Sequence, residues 1–261
     1  MQFGNSGISL FLSMLKKERQ AYIIQQINIH NKVLSSDLSV QLDVSEDTVR
    51  RDLQALAEEG KLIKVHGGAL SKSFHFTLET SSIYSLPEKK RIAYKAVELI
   101  KDGMFILLSG GTTIRELVKA LPPDLSATFI TVSVPIALEL LEHPTSEVIF
   151  LGNKLSKTAQ ISVGAEVIQR LAGIKADYCF LGTNSMDATE GITDLEWEII
   201  EVKRAMIRGA QKTVSLAISE KLNTTQKLQV CKPEEIDILI TELDPSDPKL
   251  IPYIQKGIMV L

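Results

Sequence analysis

Residues 44–53 read VSEDTVRRDL, and this stretch has the pattern of an amphipathic helix with a marked start. Ser45 is a favoured N-cap residue, and the two acids after it fall in the first turn, where the helix dipole stabilises negative charge. Farther along, apolar residues at i, i+4 and i+7 form one stripe, namely Val49, Leu53 and Leu56. The stripe predicts a short helix that buries one face and exposes the other.

The exposed face of this predicted helix is polar and basic. It comprises Thr48, Arg50, Arg51 and Gln54. An arginine there can fork onto guanine O6 and N7 in the major groove of DNA, or bind a phosphate. It can equally hydrate the helix surface or pair with an acid such as Asp47 or Glu58. The charge pattern alone leaves both interpretations open.

Two further helices are predicted before this one. Residues 16–29 place isoleucines at helical spacing, and the SSD at 35–37 is a cap signal for a second helix that runs to Leu42. Gly60 ends the third helix. Three short helices with a tight connection between the second and third predict a helix-turn-helix.

A β-hairpin pattern follows the third helix. Residues 61–69 alternate in polarity and contain a glycine pair, which is typical of a wing whose basic side chains lie along the DNA backbone. The predicted DNA-binding domain spans 16–70, and 71–86 reads as a linker. The predicted DNA-binding residues are Ser45, Thr48, Arg50, Arg51, Gln54, Lys61, Lys64 and His66.

The composition is that of an ordinary soluble protein. The 261 residues are 44% hydrophobic and 23% charged, which argues against a disordered chain and a membrane protein. The net charge is -3, but residues 16–72 are about neutral and the rest is acidic, which weakly favours DNA binding at one end. The apolar run 8–15 lacks the basic start and cleavage site of a signal peptide. We therefore expect a cytoplasmic protein with no membrane segment.

The cysteines and histidines predict no metal site and no cofactor. Cys179 and Cys231 each lie inside an apolar run, which favours buried thiols over a disulfide. The four histidines form no compact ligand cluster along the sequence.

From Pro87 onwards, strand-like and helix-like segments alternate. Helices are predicted at 88–100 and 112–121, and strands at 104–108, 128–132, 148–151, 178–181, 213–217 and 236–241. Apolar strands separated by helices predict a mostly parallel sheet covered on both faces. The fold class is therefore α/β, with a winged helix-turn-helix followed by an α/β domain over 87–261.

A glycine turn follows the first of these strands. It consists of Ser109, Gly110, Gly111, Thr112 and Thr113. Its flexible backbone and the amides of the next helix would cradle a phosphate, with the threonine hydroxyls as further donors. A helix cap without a ligand has the same appearance. Other turns at the carboxyl edge of the sheet would meet in the same crevice, and they contribute Thr131, Ser133, Gly152, Asn184 and Glu190.

The sequence closely resembles the DeoR family of bacterial regulators. The resemblance rests first on VSEDTVRRDL at 44–53, followed by Glu59-Gly60 and by HGGA at 66–69. In the second domain it rests on Glu88-Lys89, Gly111-Thr112-Thr113, Gly164, Phe180-Leu181-Gly182, Gly191-Ile192-Thr193 and EVKRAMI at 201–207. The likeness covers residue 16 to about residue 241.

This resemblance implies a repressor that binds a double-stranded DNA operator and senses a phosphorylated sugar. The sensor domain would be similar to the fold of ribose-5-phosphate isomerase and CoA-transferase. Lys203 and Lys221 are the cations that the resemblance places against a phosphate. Because a helix-turn-helix regulator reads two half-sites, we expect a homo-oligomer, a dimer or a tetramer.

Three positions depart from the family pattern. Ser109 stands where the family has aspartate, Val132 where it has asparagine, and Ile218 where it has aspartate shortly before Lys221. Each change removes hydrogen bonds that would orient sugar hydroxyls. We expect either an unusual effector or weakened effector binding.

Two other functions are possible on this sequence. The second domain could be a sugar-phosphate isomerase, for which Glu190, Asp194 and Glu196 are the available carboxylates. Alternatively, the winged helix could mediate protein contacts only, which predicts no salt-dependent DNA binding.

Overall fold

The computed structural model describes residues 14–71 and 83–261, and the chain divides into two compact units at Lys72–Ser73. Most of the apolar run 8–15 and most of the predicted linker 71–86 lie outside the described residues. The predicted domain boundaries stay predictions.

The first unit contains three helices and a small sheet. The helices are α1 (Lys16–His30), α2 (Ser35–Leu42) and α3 (Glu46–Glu58), and the strands are β1 (Lys32–Leu34), β2 (Leu62–Val65) and β3 (Gly68–Ser71). The strands pair antiparallel in the order β1-β3-β2. The predicted helix-turn-helix and its hairpin are therefore present.

Helix α3 begins as the sequence predicts, but α2 does not. Ser45 Oγ accepts a hydrogen bond from the Thr48 amide at 3.2 Å, and the apolar stripe of α3 is buried. In contrast, α2 already begins at Ser35 and has Leu34 as its N-cap without a side-chain cap. The predicted cap at 35–37 is wrong because these three residues already lie inside the helix, where the Ser36 hydroxyl donates to the Asp37 carboxylate.

A buried ion pair joins α1 to α3. Arg19 Nε donates to Asp52 Oδ2, and Gln20 Nε2 donates to Asp52 Oδ1 at 3.3 Å. Asp52 is 2% exposed. A buried carboxylate is destabilising unless it is paired and hydrogen-bonded, so these contacts fix α3 against α1.

The second unit is an α/β domain, as predicted. Its helices are α4 (Leu86–Val97), α5 (Thr112–Lys119), α6 (Val134–Leu141), α7 (Ala165–Ala172), α8 (Trp197–Arg208) and α9 (Ile251–Gln255). Short 3-10 helices occur at Ser219–Lys221, Pro233–Glu235 and Pro248–Leu250. The strands are β4 (Phe105–Leu108), β5 (Thr128–Thr131), β6 (Glu147–Phe150), β7 (Lys154–Ser156), β8 (Ile161–Val163), β9 (Ala176–Gly182), β10 (Ser185–Asp187), β11 (Gly191–Asp194), β12 (Ala210–Leu216), β13 (Leu228–Cys231), β14 (Ile238–Ile240) and β15 (Met259–Val260).

The main sheet has the order β15-β14-β12-β9-β4-β5-β6, and every neighbouring pair in it is parallel. Its apolar side chains contribute to two separate hydrophobic clusters. From β4 the chain adds β5 and β6 on one side, then returns to the other side of β4 at β9. This reversal is where open α/β sheets form a ligand crevice, beyond the carboxyl ends of the strands.

Two small antiparallel sheets are additional to the predicted elements. One is the hairpin β7–β8, and the other has the order β10-β11-β13. The sequence predicts only helices between the main strands, and these short strands correct that prediction. Both cysteines are free and buried, as predicted. None of the helices in 14–71 and 83–261 is long and apolar enough to cross a membrane.

Candidate functional site

The outer face of α3 carries both arginines in exposed positions. The side chain of Arg50 is 61% exposed and that of Arg51 is 77% exposed. Arg50 Nη2 lies 3.0 Å from Glu46 Oε2, and Arg51 Nε lies 3.1 Å from Asp47 Oδ2. Of the two acids considered as partners, Asp47 therefore pairs with an arginine, whereas Glu58 pairs with neither Arg50 nor Arg51 in the described contacts. Both arginines remain on an exposed helix face, which DNA binding requires.

These ion pairs are weak enough to be exchanged for contacts with DNA. Exposed pairs at i,i+4 contribute about 0.3–0.5 kcal/mol. The hydrogen bond and the charge of Arg51 lower the pKa of Asp47. A DNA phosphate is a comparable acceptor for each guanidinium group, and it brings further contacts with the duplex.

The other predicted DNA-binding residues extend from this face to the hairpin. Ser45 Oγ and Thr48 Oγ1 are 2.9 Å apart at the start of α3. Lys64 Nζ donates to Gln54 Oε1 at 2.8 Å, which joins strand β2 to the helix. His66 is exposed at the turn between β2 and β3. Lys61 lies at the opposite end of β2, where its Nζ is 2.6 Å from Glu59 Oε2.

The glycine pair of the hairpin is required by backbone geometry. Gly67 has a φ of 76°, in the left-handed region that favours glycine. A Cβ on Gly68 would lie 2.0 Å from the Val33 carbonyl oxygen, because β3 runs directly beside β1. Both glycines therefore shape the hairpin.

In the second unit, the end of β4 is tied to the end of β9. Ser109 Oγ accepts a hydrogen bond from the Gly182 amide at 2.8 Å, and the Ser109 amide donates to the Phe180 carbonyl oxygen at 3.1 Å. A Cβ on Gly182 would lie 2.5 Å from the Gly110 carbonyl oxygen. The two strand ends are therefore in close contact, and the Ser109 hydroxyl helps to hold them together.

The end of β5 is tied to β4 in a similar way. Thr131 Oγ1 donates to the Leu108 carbonyl oxygen at 2.8 Å and accepts from the Ser133 amide at 3.1 Å. Val132 and Ile218, two of the departures from the family pattern, are buried in the hydrophobic clusters. The Thr131 hydroxyl and these two apolar side chains therefore have structural roles in this protein.

The predicted phosphate cradle lies at the start of α5. Gly111 is the N-cap of this helix and has a φ of 115°, which again favours glycine. Gly111, Thr112 and Ser133 are among the residues that line a small cavity of about 20 Å³. Thr113 is buried behind it. The amides of the first turn of a helix have no partner within the helix, so they can donate to an anion.

Buried lysines lie on the other side of this edge. Lys203 Nζ lies 2.8 Å from Asp194 Oδ2 and donates to the Gly182 carbonyl oxygen at 3.3 Å. Lys221 Nζ donates to the Thr183 carbonyl oxygen at 2.7 Å. Both predicted cations therefore meet the chain where β9 ends.

The charges around these lysines shift several pKa values. Burial raises the pKa of Asp194, but the charge and hydrogen bond of Lys203 outweigh burial, and the pKa is lowered overall. Asn184 Nδ2 also donates to Asp194 Oδ2, at 3.1 Å. Burial, together with the charges of Lys89 and Lys203, lowers the pKa of Lys221 to about 7. An ionised acid therefore lies beside buried lysines, of which Lys221 loses its proton more readily than a free lysine.

Two of the predicted effector-binding residues lie away from this cluster. Glu190 is exposed in the turn between β10 and β11, at the opposite end of the hairpin from Asn184, and its amide donates to Asp187 Oδ1 at 3.1 Å. Gly152 follows β6, which is the edge strand and is two strands from β4. The structure does not bring either residue to the lysines.

Two residues at the cluster were not predicted to bind the effector. Lys89 falls on the buried stripe of α4 with Ile92, Ala93 and Ala96. A lysine at a core position of a helix is therefore the sequence signal that could have identified it. Asp194 ends β11, and the sequence indicates it only as a candidate catalytic carboxylate.

The three carboxylates considered for catalysis are dispersed. Asp194 is paired with Lys203, Glu196 accepts a hydrogen bond from Thr158 Oγ1 at 3.0 Å, and Glu190 lies at the far end of β11. Within the described part of the chain, no group of three His, Cys, Asp or Glu side chains could hold a metal ion.

Family comparisons match nearly the whole chain. The model of the "DeoR-like helix-turn-helix domain" matches residues 19–74, and that of the "DeoR C terminal sensor domain" matches residues 85–243. The HTH-type transcriptional regulator GolR of Listeria innocua is 35% identical, over 88% of this chain and 91% of its own. The HTH-type transcriptional repressor GlcR of Bacillus subtilis is 33% identical, over 89% and 91%. The putative aga operon transcriptional repressor of Escherichia coli O157:H7 is 28% identical, over 86% of both chains.

Solved structures with a similar fold are more distant. Ribose 5-phosphate isomerase A from Methanocaldococcus jannaschii is 19% identical with a TM-score of 0.39, over 51% of this chain and 53% of that one. The translation initiation factor eIF-2B of Pyrococcus horikoshii is 14% identical with a TM-score of 0.43, over 87% and 88%.

Proposed function

This chain belongs to the DeoR family of transcriptional regulators, and on that premise we propose that it represses genes of carbohydrate metabolism and is released from DNA by a phosphorylated sugar. It is a DNA-binding regulator and not an enzyme. The relative named as a putative repressor of the aga operon supports a carbohydrate-related role. We place its action in the cytoplasm, where it meets DNA.

One observation carries the DNA-binding part of the proposal. The outer face of α3 presents Arg50 and Arg51 with long exposed side chains, on a helix whose opposite face is buried. The N-terminal half of the third helix is the part that enters the major groove in a helix-turn-helix. There the arginines would read guanine or bind phosphate, with Ser45, Thr48 and Gln54 beside them. Lys61, Lys64 and His66 would contact the DNA backbone.

The effector would bind at the carboxyl edge of the main sheet. The amides of 110–113 at the start of α5 would donate to its phosphate, and Lys203 and Lys221 would provide positive charge. Because Ser109 and Thr131 already hold strand ends together, the sugar part would be recognised mainly from the side of Asn184. Glu190 and Gly152 would contribute little.

We further propose that the protein acts as a homo-oligomer, a dimer or a tetramer. Each chain supplies one recognition helix, and an operator with two half-sites needs two of them in fixed relation. The effector must bind the DNA-competent and incompetent arrangements with different affinity, because an equal affinity would not change their populations.

DNA binding is tested with two matched variants. Operator DNA is first selected by the purified protein from a pool of random duplexes, and affinity is then measured by fluorescence anisotropy. The double variant Arg50→Ala, Arg51→Ala should lose about 2 to 6 kcal/mol of binding free energy, at about 1–3 kcal/mol per good base contact. Arg91→Ala removes an exposed arginine paired with Glu88 in the second unit and should bind as the wild type does. Unchanged affinity of the double variant would refute the assigned DNA-binding face.

The effector is sought by its effect on thermal stability. Purified protein is heated with each of a panel of pentose and hexose phosphates, and with the corresponding free sugars. A ligand that binds only the native state raises the melting temperature. A rise with a phosphorylated sugar, absent with the free sugar, is the expected result, and a flat response to every phosphate would contradict the effector proposal while leaving DNA binding intact.

A further inference from the structure

Helix α6 is apolar on its outer face as well as on its inner face. Seven of its eight residues are apolar. Ile136 and Leu140 are buried in the core of the second unit, whereas Leu138 and Leu141 are 55% and 67% exposed. Helix α7 has the same length, but its exposed positions include a glutamate, a glutamine and an arginine. Because a helix that is apolar all round is normally buried, the outer face of α6 is suited to contact with another surface.

An open groove of about 540 Å³ lies between α6 and the hairpin β7–β8. Its apolar lining consists of Val134, Pro135 and Leu138 from α6 and of Leu155 from β7, which is 49% exposed. Leu141 lies one helical turn beyond Leu138. We call the three exposed leucines, Leu138, Leu141 and Leu155, the α6–β7 surface. Soluble monomers rarely leave a large contiguous apolar surface in water, so this surface is a candidate contact with another molecule.

Strand β6, which leads into β7, is an open edge of the main sheet. It pairs with β5, and no other described strand pairs with it. Its residues Ile149 and Phe150 are 37% and 40% exposed. Natural proteins keep edge strands very short, charge them or cover them, because a bare edge binds other strands. The opposite edge strand, β15, has only two residues, whereas β6 has four. The β6 edge is therefore the one that calls for a cover.

The charged side chains around the groove are complementary to one another. Arg115 Nε lies 2.7 Å from Glu139 Oε2, so these two are paired within the chain. Glu142 directly follows α6 and Lys157 lies in the turn between β7 and β8, and both are exposed lining residues of the groove. Neither has an ion-pair partner in the part of the chain that the structure describes. About a two-fold axis residue i contacts residue j and j contacts i, so this acid and this base can form two identical ion pairs between copies.

We propose that the α6–β7 surface, together with the open edge of β6, is the contact between two copies of this chain related by a two-fold axis. Glu142 of one copy pairs with Lys157 of the other, and the exposed leucines of both copies leave water together. The charged groups that line the groove are two acids and two bases, so a polyanion such as DNA has no net charge to bind there. This inference rests on the proposed homo-oligomer and assigns the surface through which it forms.

Self-association of the full-length protein tests the α6–β7 surface. Analytical ultracentrifugation over a range of protein concentrations gives the mass and the dissociation constant. Leu138→Glu places an unpaired carboxylate in the contact of both copies and should raise the dissociation constant by about 100-fold or more. Because Leu138 is exposed in the single chain, the variant should keep its fold, which circular dichroism checks. Met259→Glu, at a position 57% exposed on the opposite edge strand, is the matched control and should associate as the wild type does.

An exchange of charges tests the ion pairs between copies. Glu142→Lys alone places two bases at each contact, and Lys157→Glu alone places two acids there. Each single variant should associate about 10-fold more weakly than the wild type, because like charges across an interface repel. The double variant Glu142→Lys, Lys157→Glu restores opposite charges in exchanged positions and should associate nearly as the wild type does. A double variant as weak as the single variants would overturn the two-fold arrangement.

The outcomes separate this inference from the proposed homo-oligomer itself. A wild type that stays monomeric at every concentration contradicts the homo-oligomer, and the inference fails with it. If the wild type associates and Leu138→Glu associates equally well, the homo-oligomer stands but forms elsewhere, and the groove is left to another occupant such as a small apolar ligand. Loss of association in Met259→Glu, with Leu138→Glu unaffected, would place the contact at the β15 edge and likewise refute the assigned surface.

Discussion

The two units of the chain use positive charge in opposite ways. On α3 the arginines are exposed and each is paired with an acid one turn away, where water weakens the pair. In the second unit Lys203 and Lys221 are buried, and their hydrogen-bond partners are one aspartate and two backbone carbonyl oxygens. The exposed pairs can be exchanged for a large polyanion at the surface. The buried lysines are held in place, and under the proposed function they would provide charge for a small anion.

The largest expected effect comes from removing the acid of the buried cluster. Asp194→Ala leaves Lys203 buried without its ion-pair partner, so the free energy of unfolding should fall by about 3–5 kcal/mol. Urea unfolding of the full-length protein measures it. Glu198→Ala breaks the exposed pair with Lys154 and should change stability by less than about 0.5 kcal/mol. Equal losses of unfolding free energy in Asp194→Ala and Glu198→Ala would contradict the expected difference between buried and exposed ion pairs.

A second substitution tests whether the strength of an ion pair depends on its burial or on the unit of the chain in which it lies. Asp52→Ala removes the buried partner of Arg19 inside the DNA-binding unit. We expect a loss of about 3 kcal/mol, somewhat less than for Asp194 because Arg19 is partly exposed. Glu59→Ala, which breaks the exposed pair with Lys61, serves as the control in the same unit. A negligible effect of Asp52→Ala in chemical denaturation would show that this pair contributes nothing to holding α3.

A third prediction concerns the pH dependence of stability. The pKa of Lys221 is about 7 in the folded protein and has its ordinary value of 10.5 in the unfolded chain. Between these pH values the unfolded chain binds more protons, so the free energy of unfolding rises with pH, by at most about 1.4 kcal/mol per pH unit for one group. Below pH 7 both states are protonated and this contribution to the slope disappears. Lys89 adds a smaller contribution above about pH 8.

Denaturation of wild type and Lys221→Met at pH 7, 8 and 9 measures this slope. The variant should lose most of the increase with pH, whereas Lys212→Met, at an exposed position, should follow the wild type. Parallel curves for wild type and Lys221→Met would mean that Lys221 remains fully protonated in the folded protein.

The smallest expected effect is at the exposed arginines. Glu46→Ala releases Arg50 and should change the free energy of unfolding by less than about 0.5 kcal/mol. Affinity for the selected operator should rise slightly, since an acid is removed from the DNA-facing side. Anisotropy titrations and urea unfolding check both. A loss of operator affinity would show that Glu46 orients Arg50 for binding.

The elements with a strong pattern were predictable from the sequence. The cap at Ser45 and the apolar stripe of α3 determine that helix, and apolar runs bounded by glycine turns predict the main parallel strands. The three-residue strands β1, β7, β8 and β10 were missed because such short segments show no periodicity. They form by pairing with distant partners, which a local pattern does not contain.

The sequence predicts that several strand ends meet at this edge of the sheet, but not the contacts that each side chain makes there. Ser109 and Thr131 were expected to face a ligand, and their hydroxyls instead tie neighbouring strands together. In the sequence, a hydroxyl residue that hydrogen-bonds the end of a neighbouring strand cannot be distinguished from one that binds a ligand. Glu190 was misplaced because the hairpin β10–β11 was not foreseen, and in that hairpin the residue is carried to the far turn.

The close approach of Gly110 and Gly182 limits which positions of the sensor domain can be substituted to change its effector preference. Any side chain at 182 would collide with the backbone of the neighbouring strand, 2.5 Å away. Position 182 is therefore closed to diversification, in natural divergence as in a mutant library. Under the proposed function, new effector specificity would have to arise in the flanking turns at 131–133, 183–184 and 218–221. A library confined to those turns should yield folded variants that can be screened for new effectors, whereas one that varies 182 should yield mostly misfolded protein.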